Sequence, residues 1–155
     1  MNKFIKRHHH VIPSFDELCA RMPNAKVFST LDADRAFWQI QLTDESSYYV
    51  VFISPFGRFR FKVMPYGINS ATEIFQYCFE QIFGDLEGVC IMIDDLLVWG
   101  VNEKEHDERL KKVLDRARER NEKFNLKKCN FKTNEVKYVG YIFSDKGIKV
   151  NPERI

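Results

Sequence analysis

The 155-residue chain has no C-x-x-C pair, no apolar run long enough to cross a bilayer and almost no excess of charge. Each absence excludes something. Cys19, Cys78, Cys90 and Cys129 are widely spaced, and three of them sit in apolar periodic stretches. That argues against a disulfide framework or a zinc site and for reduced core thiols in an intracellular protein. A transmembrane helix needs about 20 apolar residues in succession, and none is found. The basic start is not followed by an apolar region, so it is not a signal peptide, and no membrane partner is expected. A formal net charge of +2 does not announce a polyanion partner, so any nucleic-acid surface must come from local clustering. Repeats, low-complexity stretches and linkers are missing too, which leaves one domain with ragged ends. The run His8-His9-His10 is a poor metal site, because adjacent side chains do not point the same way.

What is present is core-forming material. Hydrophobic residues make up 45% of the chain and aromatic residues 14%, with 14 Phe, a composition that packs rather than stays disordered. After the basic lead-in, Ser14 and Glu17 form a capping box that opens a short helix to about Arg21, with Phe15, Leu18 and Cys19 on one face. Lys26 to Asp32 reads as an alternating strand and Trp38 to Leu42 as a period-2 strand. Asp44 to Ser47 reads as a polar turn and Tyr48 to Ser54 as β-rich. Pro55-Phe56-Gly57 turns the chain into Arg58 to Val63, strictly alternating basic and apolar. That basic stripe suits a phosphate backbone or simply a solvated face. Asn69 is placed to cap a helix to about Phe83, whose stripe of Ile74, Phe75, Cys78, Phe79 and Ile82 is core. A charged helix follows from about Asn102 to Glu122, with Leu110, Val113, Leu114 and Ala117 on its buried face. Lys123, Lys127 and Lys128 form a small basic patch. Val136 to Ile142 reads as a strand, Ser144 to Gly147 as a turn and Ile148 to Val150 as a returning strand. Asn151 to Arg154 resembles a helix cap.

The chemistry concentrates in Val89 to Trp99, where two apolar runs flank Asp94-Asp95. The pattern predicts two buried strands with the aspartates at the tip of a tight turn. Asp32 ends another apolar strand. The element order implies an α+β layer, an antiparallel sheet with helices packed on one face, in which Asp32 and the Asp94-Asp95 turn meet if their strands are neighbours. Grouped carboxylates repel unless cations or solvent separate them. Mg²⁺ suits such a group because it takes one or two carboxylates plus phosphate oxygens. Two ions about 3.5–4 Å apart activate a hydroxyl and stabilise a leaving group in line. Phosphoryl or nucleotidyl transfer fits, and so does a metal-dependent nuclease or phosphoesterase.

Five stretches, in order over nearly the whole chain, resemble the reverse transcriptase palm of gypsy-type long-terminal-repeat retrotransposons. Lys3 to Pro13 is similar to the basic, His-bearing segment before the first palm helix. Val27 to Asp32 followed by Phe37-Trp38-Gln39-Ile40 resembles the motif with the first catalytic Asp. Pro55 to Phe61, Met64 to Ile68 and Phe75-Gln76 resemble the stretch that frames nucleotide and template. Asp94 to Gly100 resembles the paired-Asp hairpin. Lys128-Cys129, Phe131, Tyr138-Val139-Gly140-Tyr141 and Gly147-Ile148 resemble the last palm segment and primer grip.

The resemblance implies a polymerase palm built on a ferredoxin-like antiparallel sheet, with part of the fingers. It implies synthesis of DNA from deoxynucleoside triphosphates on an RNA or DNA template and a DNA primer, with two Mg²⁺ ions for which Mn²⁺ can substitute. Asp32 and Asp94 would bridge the metals with help from the Ala33 carbonyl, and Asp95 would assist near the primer end. Arg35 and Ala36 would hold the triphosphate through backbone N–H groups, and Phe37 would exclude a ribose 2′-hydroxyl. Tyr66 and Gly67 would line the nucleotide pocket, Gln76 would face the template, and Met92 would lie beside the template and primer. Tyr138, Val139, Gly140 and Tyr141 would hold the primer. Lys127 or Lys128 would protonate pyrophosphate.

Three positions depart from the family pattern. Met92 replaces a common Tyr, Asp34-Arg35-Ala36 replaces a small, Gly-bearing stretch, and Thr72 replaces a common Pro. The upstream fingers strands, thumb and ribonuclease H of the family are not in the sequence. Residues 1–155 are therefore expected to be a domain fragment of a longer polyprotein, in a virus-like particle in the cytoplasm or in the nucleus, with weak activity or none alone. A non-catalytic, co-opted nucleic-acid-binding domain is the alternative outside the enzymes.

Overall fold

Ser14 opens the first helix as its pattern predicts. Its hydroxyl accepts from the Glu17 N–H, and the Glu17 carboxylate accepts from the Ser14 N–H at 2.7 Å. In chain order the elements are α1 (Phe15–Ala20), β1 (Val27–Asp32), a 3₁₀ turn (Ala36–Gln39), α2 (Asp44–Ser47), β2 (Val51–Ser54), β3 (Gly57–Arg60) and α3 (Ala71–Phe83). They continue with β4 (Val89–Met92), β5 (Asp95–Gly100), α4 (Glu103–Arg120), β6 (Asn130–Thr133), β7 (Glu135–Tyr138), β8 (Tyr141–Ser144) and β9 (Gly147–Val150). This computed structural model describes Asn2, Ile5, His10, Val11 and residues 13–152. Most of the basic lead-in, His8 and His9, the side chain of Phe15, and Glu153-Arg154 of the expected terminal cap lie outside the described residues. His10 is described, and it bonds the Glu80 carboxylate at 2.7 Å and packs edge-on against Tyr77.

The central sheet is antiparallel, in the order β4-β5-β1-β6. Alternate residues of β1, β4 and β5 enter two separate cores. Leu31, Ile91, Leu96 and Val98 face α3 and α4, where Phe75, Phe79, Phe83 and Val113 meet them. Phe28, Cys90, Leu97 and Trp99 face the other way, against Leu18 of α1 and Val136, Tyr138 and Phe143 of the β7-β8-β9 sheet. Burial on both faces explains why the strands read as continuous apolar runs, and each fully buried Leu there contributes roughly 1.5–3 kcal/mol. The larger helices do share one face, as expected. The opposite face is closed by α1 and a small sheet.

Several expectations are corrected. Trp38 to Leu42 is not a strand: Arg35 turns left-handed (φ 50°), a 3₁₀ turn follows, and only Gln41 pairs, with Val63. Asp44 to Ser47 is one helical turn capped by the Thr43 hydroxyl. The strand begun at Gly57 stops at Arg60, and Arg60 and Lys62 are both drawn to Asp44, at 3.4 and 2.7 Å. Two of the three cations of the expected phosphate-facing stripe are thus paired within the chain. Ser70, not Asn69, precedes α3. The expected strand Val136 to Ile142 is a hairpin, because Val139 (φ 50°) and Gly140 (φ 80°) form a turn with two left-handed residues. No helix among the described residues is long and apolar enough to cross a membrane.

Candidate active site

The register of β1 and β5 decides where the carboxylates go. Asp32 is the last residue of β1 and Asp95 the first of β5, and the two are direct cross-strand partners. The Ala33 N–H donates to the Asp94 carbonyl at 2.9 Å, so the chain beyond β1 is stitched to the hairpin turn. All three aspartates therefore stand on one rim of one sheet. The turn itself is Ile93-Asp94, and Asp95 already belongs to the strand.

Ile93 is left-handed (φ 57°), a conformation that costs an L-residue roughly 1–2 kcal/mol and more when the side chain is β-branched. Two side chains hold it. From α3, the buried amide of Gln76 accepts from the Ile93 N–H at 2.6 Å and donates to the Ile91 carbonyl at 3.2 Å and to Glu80 at 2.6 Å. From β7, the buried Tyr138 hydroxyl donates to the Cys90 and Asp95 carbonyls, each at 3.2 Å. Both are buried, Gln76 0% exposed and Tyr138 3%, whereas the resemblance had set Gln76 against the template and Tyr138 at the primer. They clamp the hairpin from opposite faces of the sheet. A polar residue inside the apolar stripe of α3 was the available signal for Gln76.

The connection from α4 to β6 forms the other wall. The Asn125 N–H donates to the Asp32 carbonyl and the Asp34 N–H to the Lys123 carbonyl, both at 2.8 Å, with Ala33 opposite Phe124. This brings Lys128, not Lys127, to the carboxylates: its Nζ lies 3.3 Å from Asp32 Oδ2. Asp32 holds the Lys128 ammonium above its ordinary range, with Asp94 and Asp95 adding to the effect. The Asp95 carboxyl is pushed up to about 6, first by loss of hydration at the rim and then by Asp94 and Asp32.

Residues 1–143 match the family model described as reverse transcriptase (RNA-dependent DNA polymerase). The chain belongs to the reverse transcriptase family. Over its whole length it is 34% identical to the Transposon Tf2-3 and Tf2-4 polyproteins of Schizosaccharomyces pombe, and it spans 12% of their length. Its fold is that of a foamy viral protease-reverse transcriptase solved in complex with an RNA/DNA hybrid, with a TM-score of 0.88 at 20% identity, covering 98% of this chain and 21% of that one. A second foamy viral structure, with double-stranded DNA, gives 0.89 at 20% identity over 98% of this chain and 27% of that one.

On this reverse transcriptase frame the remaining site residues fall into groups. Arg35 and Ala36 lead the 3₁₀ turn, Ala36 buried and Arg35 exposed with its guanidinium 5.5 Å from the Trp38 ring centre. Phe37 is half-buried, its ring 5.2 Å from that of Tyr66 and 6.0 Å from that of Phe75. Tyr66 and Gly67 are exposed on a turn. Met92, Val139 and Tyr141 pack together against the second core, and Val139-Gly140 is the β7-β8 turn. Of the departures, Asp34 contributes its main chain to the wall described above, and Thr72 lies in the first turn of α3.

The donors suit a hard divalent cation in type and in charge. Among the described residues no three His, Cys, Asp or Glu side chains are gathered closely enough to hold a metal ion by themselves. Mg²⁺ does not require a complete cage, because it completes its shell with water and phosphate oxygens. The upward push on Asp95, from lost hydration first and from Asp94 and Asp32 second, disfavours its charged form; Lys128 offsets this in part and a cation would offset it further.

Proposed function

We propose that this chain is the catalytic palm of an RNA-directed DNA polymerase, adding deoxynucleotides to a DNA primer on an RNA or DNA template. The observation that carries the proposal is the cross-strand pairing of Asp32 with Asp95, with Asp94 in the adjoining turn. Asp32, Asp94 and the Ala33 carbonyl would hold two Mg²⁺ ions, which when bound supply charge neutralisation for the triphosphate and a more acidic primer hydroxyl.

The chain's own residues do the rest. Asp95 adds charge beside the primer end. The Phe37 ring, braced by Tyr66 and Phe75, forms a flat floor under the sugar that has no room for a 2′-hydroxyl. The N–H groups at the start of the 3₁₀ turn, around Arg35 and Ala36, lack intrahelical acceptors and suit phosphate oxygens. Tyr66 and Gly67 line the base side of the same pocket. Val139-Gly140, Tyr141 and Met92 form the rest of the primer side. As the primer hydroxyl gives its proton to solvent and its oxygen bonds to the α-phosphorus, the bond to the β-phosphate oxygen breaks, and Lys128 gives its proton to the departing pyrophosphate, to be reprotonated from water.

The test is single-nucleotide addition to a DNA primer on an RNA template with Mg²⁺ or Mn²⁺, comparing this chain with its Asp94→Asn form. Incorporation by the first and none by the second is expected, with little processive synthesis by the chain alone. Equal incorporation by both overturns the assignment. Cleavage without incorporation would point to a nuclease, and metal-independent binding without extension to a co-opted binding domain.

A further inference from the structure

Gln39 lies outside every site role assigned above, yet its side chain is spent entirely on main chain near the carboxylates. Its Nε2 donates to the Asp34 carbonyl and to the Lys123 carbonyl, both at 2.9 Å. Its Oε1 accepts from the Lys123 N–H at 2.8 Å. Both amide N–H bonds and the carbonyl oxygen are thus used. The reciprocal pair with Lys123 has the form of a strand rung, placed just beyond the ladder that joins Asp32 and Asp34 to Asn125 and Lys123. On one side of Gln39 is the 3₁₀ turn that carries Arg35, Ala36 and Phe37. On the other is the short segment that bends at Asn125, where the Lys128 N–H returns to the Asn125 carbonyl at 2.9 Å, and delivers Lys128 to Asp32.

We propose that Gln39 is a positioning residue: by holding Lys123 it fixes the segment 123–128 against the end of β1, sets the reach of Lys128 to Asp32, and ties that lysine to the turn bearing Phe37. The other anchors of segment 123–128 are main-chain bonds from the Asp34 N–H to the Lys123 carbonyl and from the Asn125 N–H to the Asp32 carbonyl, both at 2.8 Å, and Phe124 packed on the α3 core; the side chains of Lys123, Leu126, Lys127 and Lys128 are largely in solvent. A glutamine is suited to the task because only a primary amide both donates twice and accepts on one rigid plane. The role in catalysis rests on the polymerase reading above; the mechanical link does not.

The experiment compares wild type with Gln39→Leu, similar in size without hydrogen bonds, and with Gln39→Glu, which keeps the acceptor for the Lys123 N–H but has no donor for the two carbonyls. Amide hydrogen exchange at Lys123 and trace acylation of Lys128 against Lys127 are read in the intact chain. In Gln39→Leu, exchange at Lys123 should quicken roughly tenfold, the scale set by losing one or two such bonds. The Lys128-to-Lys127 labelling ratio should rise with it, because an amine freed from its 3.3 Å contact with Asp32 is more accessible to the reagent. Gln39→Glu should fall between, and it also serves should the Leu form fail to fold. Asp32→Asn should raise the labelling ratio without quickening exchange at Lys123. Unchanged exchange at Lys123, or an unchanged labelling ratio in either folded Gln39 variant, overturns the proposal. Should the wild-type chain add no nucleotide, these two readouts stand unaffected, so the two failures are distinguishable.

Discussion

Two hairpins of this molecule have turns of the same length and opposite fates. In β4-β5 the turn is Ile93-Asp94, a poor turn sequence with a β-branched residue in left-handed conformation. In β2-β3 it is Pro55-Phe56 followed by Gly57 at φ 125°, a conformation glycine adopts without steric penalty. Local preference favours the second. Yet the first is buried on both faces and clamped by Gln76 and Tyr138. The second leaves Ile53 at 77% and Phe56 at 90% exposed, with the Phe52 ring against those of Phe59 and Phe61, at 5.8 and 4.9 Å. An isolated two-stranded hairpin is marginal in water, whereas a hairpin inside a sheet can carry a strained turn because its surroundings determine it. In this fold the strain lies where the carboxylates are, and the relaxed turn lies away from them.

Removing a clamp is the most severe way to break that contrast. Gln76→Leu conserves volume but leaves the Ile93 N–H and Ile91 carbonyl without their side-chain partner, and an orphaned buried group costs about 1–3 kcal/mol. A loss of about 2–4 kcal/mol in urea unfolding is expected, larger than from any single change in β2-β3. A loss below about 0.5 kcal/mol would mean that the turn does not depend on the clamp.

The clamp also marks where the sequence stopped being legible. Asp32 at the end of an apolar strand, and Asp94-Asp95 between two others, could be read because strand burial leaves a run of apolar residues and the acids interrupt it. The capping box at Ser14 was readable for a similar reason, since its donors and acceptors lie within one turn. Gln39 and Tyr138 could not be read, and of Gln76 only its polarity inside an apolar stripe could, not its partners. Each bonds main chain that is distant in sequence or folded into a turn, and main-chain partners leave no trace in residue identity. Val139-Gly140 was misread because a β-branched residue looks like strand even where it turns left-handed. Trp38 to Leu42 alternates by chance, and the partners of Gln39 show why it is turn.

A smaller effect concerns charge at the rim. The folded Asp95 carboxyl titrates at about 6, above its ordinary 3.8, so its ionisation opposes folding. Its contribution to stability is fully present below about pH 4 and is lost as the pH rises through 6. In chelator-treated buffer, Asp95→Asn should therefore raise the thermal midpoint at pH 7.5 and lose that advantage near pH 4. A gain that is the same at both pH values would show that the cost of ionising Asp95 is not its source. Added Mg²⁺ should shrink the gain at pH 7.5, because a bound cation offsets the same cost.

The smallest expected effect lies in the other hairpin. Phe56 is 90% exposed at the β2-β3 turn, and its N–H is satisfied by the Ser54 hydroxyl at 3.1 Å whatever its side chain. Phe56→Ser removes a ring that buries almost nothing and keeps the backbone bond, so unfolding free energy should change by no more than about 0.5 kcal/mol. Solubility should rise, because the change interrupts an apolar surface that also includes Ile53, Phe52 and Phe59. A loss of 2 kcal/mol or more, by the usual scale of core truncations, would mean that Phe56 packs in solution against something this fold leaves uncovered. The contrast between a determined hairpin and a free one would then dissolve.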